Sequence, residues 1–370
     1  MKILIDISHP GHVHLFKNFI WEMKRRGHEI LVTARDKDVV IQLLEAYDIP
    51  FQRVGKKGSS RFNLVIELVQ REIEIFRIAR IYNPDFFIGL FNPAIAHVAT
   101  LLHKPSMNFI DSEPEVVKFA DLITIPFSNI ILTLNSVKHN FGSKEIRINS
   151  FKELASLHPN YFSPNFQTIE SVGIKEPDSY AVIRFVSWGA YHDIGQNGFN
   201  NDEKHLLIKQ LEKYLPVYIS SESQLPKDLE KYRMPIPPEK IHDFLYFAKF
   251  LVSDSQTMTT ESAVLGTPAI RYNSFVGQND MGNFIELEKK YCLIFNYKNS
   301  YDAIQKAVDL AQIPNIKQIW KPRKELLLKD KVNITAFMVW FIDAYPQSVM
   351  EMRNNPDLQY LWSPVTGETL

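Results

Sequence analysis

Residues 249–272 read Lys-Phe-Leu-Val-Ser-Asp-Ser-Gln-Thr-Met-Thr-Thr-Glu-Ser-Ala-Val-Leu-Gly-Thr-Pro-Ala-Ile-Arg-Tyr. An apolar run ends at Ser253-Asp254-Ser255 and a helical pattern starts at once. The spacing predicts a strand over 249–253, a helix over 256–265 ended by Gly266, and a strand over 268–272 opened by Pro268. Ser255, Gln256 and Thr257 therefore fall at a helix N-terminus, where free N–H groups and the macrodipole favour a phosphate. Glu261 lies four residues after Thr257 and shares its face. A carboxylate so placed suits the hydroxyl pair of a ribose, as acidic side chains do in dinucleotide folds. Taken alone, the string also reads as an ordinary N-cap at Ser255 and a solvated helix residue at Glu261.

The neighbourhood repeats this alternation. Upstream come a strand at 180–185, a helix at 203–214, a strand at 216–220 and a helix at 238–248. Downstream come a helix at 283–290, a strand at 291–296 and a helix at 299–311. The first half of the chain behaves likewise. Residues 2–7 form an apolar run that fits a buried parallel strand. A helix from His14 to Arg26 is stopped by Gly27 as a C-cap, and residues 29–33 form the second strand. Further helices are expected near 37–47, 63–81 and 94–103, and strands near 51–54, 85–90 and 106–110. At least two short apolar runs follow in 120–150. Residues 151–179 lose the pattern and read as an interdomain connection.

The sequence thus predicts an α/β protein of two doubly wound, Rossmann-like parallel-sheet domains facing a central cleft. The first is expected over 1–160 and the second over 165–330. Near the end, Ile334, Phe337, Met338, Phe341, Ile342 and Tyr345 repeat at helical spacing before Pro346. This helix follows a complete second domain, so 332–370 is expected to pack back on the first.

Composition narrows the function. The chain has 370 residues, 45% hydrophobic and 23% charged, which excludes a disordered or fibrous protein. Forty-two basic side chains balance forty-two acidic ones, so the electrostatic footprint of a general nucleic-acid binder is missing. The single cysteine, Cys292, lies in the apolar run Tyr-Cys-Leu-Ile-Phe and is expected to be a buried, inert thiol. The N-terminus runs directly into a strand without signal-peptide features, and no apolar stretch reaches the roughly 18 residues needed to span a bilayer. A cytoplasmic location is expected, with contact to the inner membrane face left open. Glycine is scarce, 14 of 370, so each one marks a place where backbone geometry counts.

Four other segments carry polar groups at expected strand ends. The first is Ser8-His9-Pro10-Gly11-His12-Val13-His14, where Gly11 permits close backbone approach and a histidine has the pKa of a general base. His-x-His with Asp6 is also a plausible metal set, but nothing else in the chain completes it, and a metal-free site is expected. The second holds Asp111 and Glu113, which either serve sugar hydroxyls and proton transfer or cap the next helix. The third, 184–202, holds Arg184 and Ser187, with Trp188, Tyr191, His192, Asp193, Gly195 and Gly198. Arg184 can grip a diphosphate through paired N–H groups, whereas Trp188 and Tyr191 are packing or sugar-stacking residues. The fourth, Ser220-Ser221-Glu222-Ser223, offers small hydroxyls. Neither the dinucleotide Gly-x-Gly-x-x-Gly nor the P-loop pattern is present.

These strings together resemble a known superfamily. Ser-Asp-Ser-(x)5-Glu-Ser-Ala-Val-Leu-Gly-Thr-Pro-Ala-Ile is similar to the nucleotide-sugar signature of GT-B proteins. Comparable strings occur in the lipid-intermediate N-acetylglucosaminyltransferase of peptidoglycan synthesis and in UDP-N-acetylglucosamine 2-epimerases. With 6–14, 109–113 and 187–193, the chain resembles most closely domain-of-unknown-function family 354 of bacteria and archaea. The resemblance implies a glycosyltransferase that takes a nucleotide-diphosphate sugar such as a UDP-sugar, needs no cofactor or metal, and serves cell-surface polysaccharide or glycoconjugate synthesis. It places the donor on Arg184, Ser187, Ser221, Ser255, Gln256, Thr257 and Glu261, and the nucleotide base near Pro235-Ile236-Pro237-Pro238, ahead of the helix with His242. It places Gly11 and His12 beside the acceptor, with His12 as base. The alternatives are an epimerase using Asp111 or Glu113, or a catalytically silent binding protein. The epimerases carry His-Val-Glu-Ala-Gly where this chain has Ile-Asp-Ser-Glu-Pro, and a His-Arg-rich string that this chain lacks.

Overall fold

A computed structural model describes residues 1–56, 64–113, 121–187, 197–221, 224–277 and 280–363. The chain divides into two compact units, Met1–Tyr161 with Lys331–Leu370, and Phe162–Asp330.

The first unit begins with β1 (Lys2–Ile7), α1 (Pro10–Arg25), β2 (Glu29–Asp36), α2 (Val40–Ala46) and β3 (Phe51–Lys56). It continues with α3 (Leu64–Tyr82), β4 (Phe86–Leu90), α4 (Pro93–Leu101), β5 (Ser106–Ile110), β6 (Ile130–Leu134), β7 (Glu145–Ile148) and the single turn α5 (Leu154–Leu157). The strands form one seven-stranded sheet in the order β3-β2-β1-β4-β5-β6-β7. Every pairing in it is parallel. Ile3, Leu4, Ile5 and Ile7 of β1 are fully buried, as a central strand covered on both faces requires.

Helix α1 starts at Pro10, four residues before the sequence pattern predicted. His9 is its N-cap, accepting from the Gly11 N–H at 3.1 Å, and Pro10 fills a first-turn position where no amide hydrogen is needed. Gly11, His12 and His14 are therefore helical residues rather than loop residues. Gly27 follows the C-cap with φ +82°, a left-handed conformation that glycine adopts without strain.

The second unit contains α6 (Gln167–Glu170), β8 (Ala181–Phe185), α7 (Asn201–Leu211), β9 (Val217–Ser221), α8 (Ile241–Phe247), β10 (Phe250–Ser253), α9 (Gln256–Leu265), β11 (Ala269–Tyr272), α10 (Gly282–Lys289), β12 (Ile294–Tyr297), α11 (Ser300–Gln312) and α12 (Ile316–Asp330). Its five-stranded sheet runs β12-β11-β10-β8-β9, again with parallel pairings.

Two features escaped the sequence pattern here. Helix α12, absent from the expected elements, continues through Pro322 although an interior proline costs about 3 kcal/mol. Burial of Ile316, Trp320 and Leu327 on one face, and the Trp320 indole N–H donating to Leu293 O at 3.0 Å, hold it in place. Cys292, expected to be buried in a strand, is exposed. It sits in the turn before β12 with φ +53°, so the strand begins at Ile294 instead of 291.

The chain then returns to the first unit as α13 (Ile334–Asp343) and α14 (Gln347–Asn354). Phe337, Met338, Phe341 and Ile342 are fully buried, which is the amphipathic face anticipated from spacing. The Asn18 amide of α1 and the Thr335 hydroxyl of α13 both donate to Ala155 O, at 2.7 and 3.0 Å, tying α1, α5 and α13 together. No helix among the described residues is long and apolar enough to cross a membrane.

His158, next to this junction, is 1% exposed, and burial pushes its pKa down to about 4. In the unfolded chain it titrates near ~6.5. As pH falls from 6.5 towards 4, the unfolded state takes up a proton that the fold refuses, so stability is lost on acidification. Urea unfolding should show a drop between pH 7 and pH 4.5 that is smaller by about 2–3 kcal/mol in His158→Asn than in the parent. Equal drops in both proteins would remove His158 from this role.

Candidate functional site

In each sheet the chain reverses direction of growth once. In the first unit β2 and β3 lie on one side of β1, and β4 lies on the other; in the second, β9 lies on one side of β8, and β10 on the other. Ligands of doubly wound sheets sit beyond the carboxyl ends of the strands at such points. The segments that qualify are those after β1 and β4, and those after β8 and β10.

After β1, His12 lies in the first turn of α1 and is 8% exposed. Burial, and then the positive charges of His9, Lys152, Arg71 and Lys37, hold its pKa well below the usual histidine value. The ring is therefore neutral near pH 7. Its Nδ1 lies 3.5 Å from the Ser8 N–H, too long a contact to fix the tautomer.

Asp6, the penultimate residue of β1, is fully buried. It accepts from the Thr33 hydroxyl at 2.7 Å, from the Asn92 amide and from the Arg71 guanidinium. Asn92 caps α4 and takes its own backbone N–H to Asn108 Oδ1 at 2.9 Å. Asp6 is thus committed to Arg71, Asn92 and Thr33, which argues against the metal alternative built on it.

Asp111 and Glu113 go separate ways. Burial opposes ionisation of Asp111, but the ion pair and hydrogen bond with Lys152 outweigh it and keep its pKa below the ordinary value. The Glu113 carboxylate accepts from the Lys138 N–H at 2.9 Å and 3.1 Å and from the His139 N–H at 3.4 Å. It pins the loop after β6 rather than presenting an open carboxylate. Residues 114–120 lie outside the described residues.

In the second unit, Ser255 is the N-cap of α9, its hydroxyl accepting from the Met258 N–H at 3.4 Å. Its own N–H donates to Ser253 Oγ at 2.8 Å. Gln256 and Thr257 form the first turn of α9, with backbone N–H groups beyond reach of any intrahelical acceptor. Gly266 closes the helix at φ +80°.

Glu261 is not the solvated residue of the bland alternative. It is 7% exposed, and its Oε1 accepts from His242 Nε2 of α8 at 3.1 Å. Arg184 on β8 donates from Nη1 to Ser220 Oγ of β9 at 2.8 Å. Ser253, Arg184 and Ser220 are register partners across β10, β8 and β9, so this guanidinium stands in the same sheet row as the strand end that feeds α9. Ser221 ends β9 one residue later, and Ser187 follows β8 as an exposed residue. Trp188, Tyr191, His192, Asp193, Gly195, Glu222 and Ser223 lie outside the described residues.

Asp254 was only part of a motif in the sequence, yet it organises this end of the sheet. Its Oδ1 accepts from the Val186 N–H at 2.8 Å, and its carbonyl accepts from the Asn273 amide at 3.0 Å. Gly198 passes so close that a Cβ there would lie 2.3 Å from Asp254 Oδ2. Asn197 and Ser274 are joined by Asn197 N–H to Ser274 Oγ at 2.9 Å and Ser274 N–H to Asn197 O at 3.1 Å. The segments after β8, β10 and β11 are thereby fastened to one another around Asp254. His242, Asp254 and Asn273 carry no spacing signal that could have linked them to Glu261 or Val186. Their partners are set by the crossing of helices and strands.

The sequence profile of a family described as "Protein of unknown function (DUF354)" matches residues 1–282. The chain belongs to this family. Its motifs at 6–14, 109–113, 187–193 and 253–268 all lie inside the matched span. The chain is also similar to uncharacterized protein MJ0665 of Methanocaldococcus jannaschii, 24% identical over 288 residues, 73% of this chain and 81% of that protein. Among solved structures, it resembles the UDP-GlcNAc 2-epimerase from Neisseria meningitidis bound to UDP-GlcNAc. That match has a TM-score of 0.60 at 14% identity and covers 88% of this chain and 98% of the epimerase. It resembles equally the spinosyn forosaminyltransferase SpnP, with a TM-score of 0.60 at 11% identity, covering 95% of this chain and 99% of SpnP. At such identities the likeness establishes the fold: this DUF354 chain has the GT-B architecture shared by glycosyltransferases and nucleotide-sugar epimerases.

Proposed function

We propose that this DUF354 protein is a glycosyltransferase that draws its sugar from a nucleotide diphosphate. The second unit takes the donor and the first takes the acceptor hydroxyl. The observation that carries the reading is Glu261, a buried carboxylate on the second turn of α9, held by His242 just beyond the switch between β8 and β10. The diphosphate belongs at the Gln256–Thr257 end of α9, where the dipole and the first-turn N–H groups offset the charge that builds on the leaving group. Arg184, a strand-row neighbour of Ser253, supplies positive charge on that side. His12, neutral and buried, is the base that takes the acceptor proton.

Transfer is favoured over epimerisation because the two acids an epimerase would use are engaged. Asp111 is paired with Lys152, and Glu113 is spent on backbone N–H groups at 138–139. The SpnP likeness is compatible with transfer, and the epimerase likeness with the same class of donor.

The test is a binding screen of UDP-, GDP-, ADP- and CMP-sugars by thermal shift, followed by product analysis of the best donor incubated alone. A transferase raises its melting point with one nucleotide class and gives at most slow hydrolysis without acceptor. Conversion of the sugar without acceptor would replace this reading by an epimerase. In Glu261→Ala, affinity for the donor nucleotide should fall by about 10- to 100-fold, the loss expected for a hydrogen bond to a charged group. Unchanged affinity would remove Glu261 from the site.

A further inference from the structure

The structure assigns His242 a role as the positioning residue that aims Glu261 at a ribose diol, so that the pair makes the second unit select ribonucleotides over 2′-deoxyribonucleotides. This rests on the nucleotide-donor reading above and adds to it a positioning residue, His242, whose pairing with Glu261 the sequence did not reveal.

Helix α8 is held on several sides. Asp243, next to His242, accepts from the Asn165 N–H at 2.8 Å and from the Thr168 hydroxyl at 3.1 Å. The Tyr180 hydroxyl donates to Phe244 O at 2.6 Å, and the Thr267 hydroxyl donates to Leu245 O at 2.9 Å. Thr267 directly follows the Gly266 cap of α9, so α8 is stitched to the helix that carries Glu261. The Phe162 ring stands edge-on to the His242 ring, with centroids 6.3 Å apart and an interplanar angle of 86°. The imidazole is therefore carried on a fixed frame.

The pair itself is desolvated. The side chains of His242 and Glu261 are 4% and 9% exposed, with Nε2 and Oε1 3.1 Å apart. Among the described residues, the other carboxylate oxygen, Oε2, takes no hydrogen bond. One oxygen is held by a protein donor and the other is left to an outside donor. A glutamate has three rotatable bonds, and a donor on one oxygen removes most of that freedom before ligand arrives. Two adjacent hydroxyls match such a carboxylate. A ligand missing one of them leaves buried acceptor capacity unmet, which is how sites built for a hydroxyl reject analogues that lack it.

The experiment compares UDP, GDP, ADP and CDP with their 2′-deoxy counterparts by calorimetry on the full chain. The parent should bind one ribonucleotide diphosphate about 10- to 100-fold more tightly than its 2′-deoxy form. Glu261→Gln and two variants without a donor, His242→Phe and His242→Leu, should each bring that ratio to within about threefold; His242→Gln, which keeps an N–H donor, should recover part of it. Two donorless variants are used so that misfolding of one, seen in its melting midpoint, leaves the other to decide. A merely structural His242 would weaken both forms of the nucleotide alike and leave the ratio unchanged, which overturns the assignment. A parent that binds nucleotide without preference overturns it too, while the donor reading stands. A parent that binds none of the eight overturns the donor reading and this assignment together.

Discussion

Turnover of His12→Ala is expected to fall by about 10²- to 10⁴-fold, the range for removal of a positioned general base, with donor affinity unchanged. The expectation follows from where the histidine stands and what burial does to it. His12 belongs to the first turn of α1, after β1, an interior strand of the first sheet, whereas the residues assigned to the donor belong to the second unit. Burial and four neighbouring positive groups hold the imidazole neutral, which is the form that accepts a proton. The same cause fixes the pH dependence. If His12 is the proposed base, acidification should protonate it and slow the reaction, and because its pKa is depressed, the acid limb should appear well below ~6.5. Steady-state kinetics with calorimetric donor binding, from pH 4.5 to pH 8, would check both parts. A variant that loses donor affinity but keeps its turnover would transfer His12 from catalysis to binding.

The second large effect concerns stability. Asp6→Ala should destabilise the first unit by about 3–5 kcal/mol, since it strips the partner from a largely buried guanidinium. Asp6 is fully buried, Arg71 has a side chain 11% exposed, and Thr33 and Asn92 also lose their acceptor. The deletion thus leaves one charge and two polar groups without partners, well beyond the loss of one hydrogen bond. Asp6→Asn should be milder, because it keeps an acceptor for Thr33 while leaving Arg71 unneutralised. Urea unfolding of both variants would measure the difference. If a chelator reproduces the Asp6→Ala loss in the parent, Asp6 is a metal ligand and the network account fails.

Much of the architecture is legible in the chain because its cause is local. Strand β10, helix α9 and strand β11 are announced by an apolar run, a serine cap, a glycine at the left-handed C-cap position and a proline. Each of these acts on the backbone within a few residues. The amphipathic face of α13 is legible for the same reason. The start of α1 was misplaced because His-Pro-Gly reads as a loop, although proline in a first turn and a histidine cap are as compatible with a helix. Helix α12 lies beyond the elements expected from the pattern, and the burial of Trp320 that accompanies it past Pro322 is not visible in the sequence.

Sequence alone determined the family, the two alternating α/β series and the serine-capped start of α9, and it singled out Glu261 and His12 as candidate groups. The serine cap and the elements follow from residue type and local spacing, and the family follows from motifs spread along residues 6–268. Only the tertiary structure decided which groups share an electrostatic environment. It gave Glu261 to His242, 19 residues away, and Asp6 to Arg71, 65 residues away. It turned Glu113 towards 138–139 and put Asp111 in the hands of Lys152. Hydrogen bonding and desolvation act through distances of a few ångströms in space, and in a doubly wound sheet those distances are set by strand order rather than by separation along the chain.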